Sequence, residues 1–290
     1  MESLIPQKVL NIKKELEKKA PKLQGDYILT EKFDGWYVQI PFSASLGTWG
    51  FPLSSANRVI PSLMWTTVLF NQLPKPKEDC YLIAEAIRED TPFHITNGLL
   101  NRSIGDYAFK DVIFKLHDIV YPGKYNSAFV RYIYLKEFIK ETDQLHVVPI
   151  IAVAEYKEKL WKGIFETIVN NGGEGLIAKK TESTFSPGKR NSDLLKIKLE
   201  CEIDALAVRL EEGYGAKGND SLILVSKRKN GIIIRTNIGK HTDKALFRKD
   251  ESNIIGKVVT LKGMEELHDG QLRQPTFYCV RDDKKVTDYE

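Results

Sequence analysis

Alternating apolar and polar residues dominate the first part of the chain and predict many strands and few helices. The run Tyr27–Ile40 is rich in strand-forming residues on both sides of an Asp-Gly pair, which predicts a hairpin with Lys32 at its tip. The other predicted elements of this part are helices at 8–20, 131–140 and 156–170 and strands at 174–180 and 194–199.

Beyond about residue 200 the pattern changes to short strands separated by glycines. The predicted strands are Ala205–Leu210, Leu222–Ser226, Gly231–Thr236, Lys257–Lys262 and Phe277–Arg281. Five short strands with little helix are typical of a small β-barrel such as the oligonucleotide-binding (OB) fold. We therefore expect an α+β protein with two domains, at residues 1–200 and 201–290.

Composition narrows the class of protein. The chain has 290 residues and a net charge of +4, a mildly basic balance that permits nucleic-acid binding without requiring it. It contains neither a long apolar segment nor the apolar core of a signal peptide, so we expect a cytoplasmic protein. Three widely spaced cysteines favour free thiols over disulfides or a zinc site.

The tetrapeptide Lys-Phe-Asp-Gly at residues 32–35 places an amine where a covalent nucleophile would act. A lysine attacks phosphorus only as the neutral amine, which nearby cations or partial burial favour. Lys196 and Lys198 alternate with Ile197, so both ammonium groups should face one side of a strand and suit phosphate binding. A solvated strand face is the alternative interpretation of that pair.

Three carboxylates accompany the lysines. Glu85 lies inside an apolar run, where an unpaired carboxylate is costly, and Glu174 directly follows two glycines. Asp34 either orients the lysine or supplies turn chemistry. Lys179 comes five positions after Glu174, which in an ideal strand places the two side chains on opposite faces.

The order of these segments resembles the covalent nucleotidyltransferase superfamily, which comprises DNA ligases, RNA ligases and mRNA capping enzymes. The matching segments are Lys32–Gly35, the strand around Glu85, Phe114–Val120, Glu174–Lys179 and Lys196–Lys198. Asp269–Phe277 is similar to the ending of small bacteriophage ATP-dependent DNA ligases. The resemblance implies an antiparallel-sheet nucleotidyltransferase (adenylation) domain at 1–200, followed by an OB-fold domain at 201–290.

The same resemblance implies roles for individual residues, with ATP and Mg²⁺ as cofactors. The catalytic set is Lys32, Asp34, Lys196 and Lys198. The set contacting the nucleotide is Glu31, Lys32, Glu85, His117, Glu174, Lys179, Lys196, Lys198, Arg281 and Lys284. Glu85 and Glu174 would hold the metal. His117 stands where relatives carry a Phe or Tyr that stacks on adenine, and a structural histidine is the alternative.

Basic residues supply candidate contacts to DNA phosphates. These are Arg58, Arg102, Lys189, Lys227, Arg228, Lys229 and Arg273. Two phosphate-binding arginines of the family are replaced here by Tyr37 and Ser55, and Arg58 is a possible substitute for one of them.

The resemblance implies an ATP-dependent DNA ligase that seals nicks in double-stranded DNA through a lysyl-AMP intermediate. We expect a monomer that closes around DNA, in the host cell cytoplasm if a phage encodes it. Two alternatives stay open. One is an RNA ligase or an mRNA capping guanylyltransferase, which shares the lysine chemistry, and the other is a non-catalytic OB-fold protein that binds nucleic acid.

Overall fold

The computed structural model describes residues 3–88, 111–124, 126–214, 220–239, 241–264, 266–267 and 269–288. The chain divides into two compact units, Met1–Ile197 and Lys198–Glu290. Among the described residues, no helix is long and apolar enough to cross a membrane.

Among the described residues, ten strands make up the sheets of the first unit. They are β1 Lys8–Asn11, β2 Asp26–Lys32, β3 Trp36–Ser43, β4 Thr48–Trp49, β5 Cys80–Ile87, β6 Ile113–Val120, β7 Leu145–Val147, β8 Ile150–Glu155, β9 Gly175–Lys180 and β10 Arg190–Lys198. One sheet has the order β1-β10-β9-β2-β8, and the other has the order β4-β3-β5-β6-β7. The predicted strands at 174–180 and 194–199 are confirmed.

The predicted hairpin at Lys32 is wrong. β2 pairs with β8 and β9, whereas β3 pairs with β4 and β5, so the Asp-Gly pair joins the two sheets. Gly35 is not among the described glycines with positive φ. A Cβ there would lie 2.6 Å from Ile87 Cγ2 and 2.8 Å from the Ala86 carbonyl oxygen. Glycine is therefore needed for close approach to β5 and not for a reversal of the chain.

The helices of the first unit lie between its strands in the chain order. They are α1 Ile12–Leu16, α2 Thr67–Phe70, α3 Ala128–Phe138 and α4 Glu158–Asn170, with a 3₁₀ segment at Pro61–Thr66. The last two confirm the predicted helices. The prediction of a helix over 8–20 is wrong in its first half, because Lys8–Asn11 pairs in parallel with β10 and its backbone hydrogen bonds go to that strand.

Apolar clusters hold the first unit together, and two of them are large. Phe42, Phe70 and Phe114 are fully buried in the cluster around the second sheet. Tyr27 and Trp161 form an edge-to-face pair, with ring centroids 5.3 Å apart, in the cluster between the first sheet and α4. Burial of large aromatic rings contributes much of the stabilisation of such cores.

The second unit is a closed five-stranded barrel with the order β11-β12-β13-β15-β14. Its elements are β11 Cys201–Tyr214, β12 Asp220–Lys227, β13 Ile233–Asn237, α5 His241–Lys249, β14 Val258–Gly263 and β15 Thr276–Val280. The five predicted strands are confirmed, and α5 was not predicted. The long β11 pairs with β14 through its first half and with β12 through its second, which closes the barrel.

Candidate active site

A cavity of about 310 Å³ lies between the two sheets of the first unit. Ile28, Thr30 and Lys32 alternate along β2 and line one wall, as the period of two in a strand requires. Their partners on β9 are Lys179, Ile177 and Gly175 in the same order. Charged side chains therefore stand at both ends of this wall, Lys32 at one end and Lys179 at the other, with Thr30 and Ile177 between them.

Lys32 lies at the end of β2 with 21% of its side chain exposed, so its amine is held by the protein. Nζ donates to the carboxylate of Glu174, which precedes β9, and lies 3.4 Å from the carbonyl oxygen of Phe33. The pairing of Lys32 with Gly175 in the ladder brings the two charged side chains together. Strand pairing therefore positions the predicted nucleophile and one predicted carboxylate.

Glu85 lines the same cavity from β5 on the opposite sheet. Burial is the largest cause that raises the pKa of its carboxyl, the charge of Lys32 opposes it and the charges of Glu174 and Asp34 add to it, and together they raise this pKa to about 8. Three carboxylates therefore surround one amine. Among the described residues no set of three or more His, Cys, Asp or Glu forms a ready metal site, so a cation here would need further oxygen ligands.

We expect Glu85→Gln to be more stable than the wild type at pH 8. A folded-state pKa raised above the unfolded value of 4.5 means that ionising Glu85 costs stability as pH rises toward 8. The free-energy difference between variant and wild type should therefore grow between pH 5 and pH 8, by on the order of 1–3 kcal/mol. Urea titrations at the two pH values measure it, and an equal difference at both would contradict the prediction.

A buried ionic network at the far end of the cavity was missed by the sequence analysis. Lys179 Nζ donates to Asp118 Oδ2 at 2.7 Å, and Arg131 donates to both oxygens of Asp118 from Nε at 2.8 Å and Nη2 at 3.2 Å. Burial by itself would raise the pKa of Asp118, but the charges of Lys179 and Arg131 hold that pKa well below its usual range. Asp118 and Arg131 each stand in an otherwise apolar run, and this was the signal in the sequence that could have revealed the network.

The network also settles the position of Lys179. Glu174 stands before β9 begins, so the alternation of faces within the strand does not relate it to Lys179. Lys179 Nζ is 3.1 Å from the carbonyl oxygen of His117 on the facing sheet. Lys179 therefore contacts β6, while Glu174 contacts Lys32.

His117 and Glu31 both line the cavity. Burial, with a smaller effect of the Lys179 charge, lowers the pKa of His117 to about 4, so the ring is neutral near pH 7. Burial raises the pKa of Glu31, and the charge of Lys115 opposes that shift. A neutral planar ring is compatible with stacking and also with a structural role.

Lys196 and Lys198 both belong to β10, but they differ in whether they line the cavity. Lys196 lines the cavity and Leu195 is fully buried behind it, as the predicted alternation requires. Lys198 is the first residue of the second unit. Asp34 lies between β2 and β3 and acts on the pKa of Glu85 through its charge.

In the second unit, Arg281 and Lys284 both contact the carboxylate of Asp204. Asp204 was not among the site residues predicted from the sequence. Lys284 donates to Asp204, and Arg281 Nη1 lies 3.6 Å from Asp204 Oδ1. Thr260 also donates to this carboxylate, at 2.5 Å. Burial opposes ionisation, but these hydrogen bonds and charges lower the pKa of Asp204.

The predicted DNA contacts are dispersed. Arg58 and Lys189 are exposed in the first unit, and Lys227, Lys229 and Arg273 belong to the second. Arg228 donates to Glu266 at 2.6 Å and to the Gly270 carbonyl oxygen at 2.7 Å, so it ties a barrel loop together. Arg102 lies outside the described residues.

The first unit thus has two sheets with a lysine–carboxylate pair between them, and the second unit is a barrel. Residues 73–198 match the family model described as ATP dependent DNA ligase domain. The resemblance noted from the sequence is therefore confirmed for this part of the chain, which is similar to the ATP-dependent DNA ligase domain.

Curated relatives agree with that match. A DNA ligase of Methanocorpusculum labreanum is 28% identical over 180 residues, which cover 53% of this chain and 33% of the relative. A DNA ligase of Halorubrum lacusprofundi is 30% identical over 142 residues, which cover 40% of this chain and 24% of the relative. The matches therefore span a third or less of these relatives.

Solved structures show the same fold. The structure described as a minimal-scaffold Lig E DNA ligase has a TM-score of 0.69 at 18% identity, and the match covers 95% of this chain and 98% of that one. The ATP-dependent DNA ligase of bacteriophage T7, in complex with ATP, has a TM-score of 0.51 at 20% identity, covering 96% of this chain and 98% of that one. At these identities the likeness concerns the fold.

Proposed function

We propose that this protein is an ATP-dependent DNA ligase that seals nicks in duplex DNA through a lysyl-AMP at Lys32. The observation that carries the proposal is the amine of Lys32, paired with Glu174 in a cavity whose other wall carries Glu85. The family match over residues 73–198 supports the same reaction class.

In the first step, Lys32 Nζ forms a bond to the α-phosphorus of ATP while the bond to the bridging oxygen breaks and pyrophosphate leaves. The ammonium group must first lose a proton, and the Glu174 carboxylate that already accepts its hydrogen bond is placed to receive it. Lys196 adds positive charge at the cavity wall, where it stabilises the phosphate charges.

Mg²⁺ belongs to the proposal as a phosphate-bound cation. Glu85 and Glu174 are hard oxygen ligands, and with nucleotide phosphates they fit the preference of Mg²⁺ for a few carboxylates plus substrate oxygens. The cation would neutralise phosphate charge during transfer. Because the pKa of Glu85 is about 8, holding a cation near pH 7 requires loss of the Glu85 proton.

Two further steps complete the proposed reaction. The 5′-phosphate at the nick takes AMP from Lys32, which regenerates the amine. The 3′-hydroxyl then attacks the activated phosphate and expels AMP, with Asp34 as the proposed acceptor of the hydroxyl proton. Positioning and charge stabilisation supply most of the rate in such transfers.

The barrel unit is proposed to be an OB fold that binds DNA. Five short strands in a closed barrel support this assignment, as does the likeness to ligase structures. Arg281 and Lys284 are proposed to orient the pyrophosphate, and the exposed Arg58 and Lys189 to contact DNA phosphates. The proposal includes a monomeric protein acting in the cytoplasm.

Intact-mass measurement after mixing the protein with ATP and Mg²⁺ tests the proposal. We expect a gain of the mass of one AMP, lost again on addition of nicked duplex DNA, with a sealed strand on a denaturing gel. Labelling by GTP alone would favour a capping guanylyltransferase, and sealing of nicked RNA alone an RNA ligase. Salt-sensitive DNA binding with no adduct would mean a non-catalytic protein.

We expect His117→Ala to weaken ATP binding by roughly tenfold, because base stacking on a ring is worth about 1–3 kcal/mol. His117→Phe should bind ATP as well as the wild type or better, since phenyl keeps the ring and needs no buried hydrogen-bond partner. Calorimetric titration measures both. Normal ATP binding by the alanine variant would assign His117 a structural role.

A further inference from the structure

The first residues of the chain form a wall of the cavity. Leu4 is 6% exposed and packs with Tyr81, Ile83 and Val120 of the second sheet. A few residues later, Lys8–Asn11 pairs with β10 of the first sheet. We call residues 4–9 the N-terminal strap, because they run from one sheet to the other, and two of them, Gln7 and Val9, line the cavity.

Hydrogen bonds hold the strap at both ends. The carbonyl oxygen of Leu4 accepts from Gln39 Nε2 at 3.3 Å, and the Pro6 carbonyl oxygen accepts from the Gly188 backbone at 3.1 Å. The Lys8 backbone donates to the Lys189 carbonyl oxygen at 2.9 Å. These hydrogen bonds make the strap an ordered part of the cavity wall.

The strap meets the end of the cavity opposite the nucleophile. Ile28 and Lys179 lie four strand positions from Lys32, about 13 Å along the sheet. Gln7 contacts Ser186, in the segment that follows β9 just beyond Lys179. If the α-phosphate lies at Lys32, the length of the nucleotide places its base toward Gln7.

The orientation of the Gln7 amide is set by its neighbour. The Ser186 backbone N–H can only donate, so the atom 3.3 Å from it is Oε1. That oxygen retains a second lone pair. The Nε2 group has no hydrogen-bond partner among the residues that the structure describes. The cavity wall therefore presents one acceptor and one donor side by side.

We propose that Gln7 is a specificity-determining residue that selects adenine over purines with a 6-oxo group. An amide pairs with adenine by accepting from its 6-amino group and donating to an adjacent ring nitrogen. Inosine and guanine place a carbonyl oxygen where the amino group stands, opposite Oε1, which repels it. This inference rests on the proposed function in that it assumes a nucleotide in the cavity.

Nucleotide binding to Lys32→Ala protein tests the inference without covalent chemistry. Calorimetry with ATP and with inosine triphosphate, each with Mg²⁺, gives the ratio of the two dissociation constants. We expect a clear preference for ATP, and a loss of roughly tenfold in that preference when Gln7→Ala is added. Gln7→Met, which has a similar length and volume and lacks both the acceptor and the donor, should behave alike and carries the test if the alanine variant does not fold.

Lys8→Ala is the matched control, because Lys8 lies in the same strap with an exposed side chain. Its preference for ATP should equal that of the parent. An unchanged preference in both Gln7 variants would overturn the inference, as would failure of ATP to bind the Lys32→Ala parent. The proposed function is judged separately by the mass gain of the protein that keeps Lys32, so failure of one is distinguishable from failure of the other.

Discussion

Replacing Lys32 with alanine should abolish both the gain of one AMP and the sealing of nicks by ATP. The loss should reach at least about 10³-fold, since removal of a covalent nucleophile leaves only positioning and binding contributions. Lys179 cannot substitute, because its Nζ is held by Asp118 across the cavity. Intact mass and a nick-sealing assay are the two measurements.

Two controls separate chemistry from folding. Lys32→Arg keeps a cation beside Glu174 but replaces the amine with a guanidinium that stays protonated, so we expect the same loss. Lys159→Ala removes an exposed lysine of α4 and should leave both activities unchanged.

A pre-adenylylated nick gives a sharper test of the Lys32 variant. Attack of the 3′-hydroxyl on the activated phosphate forms no bond to Lys32, so the alanine variant should retain much of this single step. Retained sealing, together with no AMP adduct, would place the defect in nucleotidyl transfer to the lysine. Formation of an adduct by the alanine variant would contradict the assignment of Lys32.

Asp118→Ala should destabilise the first unit by about 3–5 kcal/mol, the cost of removing one partner from a buried ion pair. The variant leaves Arg131 and Lys179 as two buried cations without their shared carboxylate, and Arg131 is 3% exposed. Asp118 also joins β6 to α3 through Arg131 and to β9 through Lys179, so its loss removes hydrogen bonds between three elements.

Tryptophan fluorescence during urea unfolding reports on this unit alone, because all four tryptophans lie before residue 198. That separation matters, since two units need not unfold as one transition. Asp143→Ala, at an exposed loop position, should change the unfolding free energy by no more than about 0.5 kcal/mol. An equally small change in the unfolding free energy of Asp118→Ala would contradict the stabilising role of the ion pairs around Asp118.

The pH dependence of the Asp118 effect has a definite sign. The folded-state pKa lies below the unfolded one, so the stabilising contribution is complete above the unfolded pKa, about 4. It is lost as pH falls toward the folded pKa. The difference between wild type and Asp118→Ala should therefore be constant near pH 7 and shrink below about pH 4.

Local sequence determined much of this protein. Strand and helix segments follow from the period of apolar residues, which is why the barrel strands, α3, α4 and β9 were predicted close to their observed positions. The alternation of side chains along a strand also predicted that Lys196 lies on the face opposite to the buried Leu195. Lys32, Glu85 and Glu174 were selected mainly because the order of their segments resembles the nucleotidyltransferase superfamily, with their positions beside glycines or within an apolar run as supporting signals.

Only the tertiary structure decided which distant strands pair and what meets across the cavity. An Asp-Gly pair between two strands is equally compatible with a hairpin and with a crossing between sheets, and the close approach of Gly35 to β5 selected the crossing. Asp118, Arg131 and Lys179 come from β6, α3 and β9, and Gln7 comes from the strap. Their contacts depend on packing between segments far apart in the chain, which no local periodicity encodes.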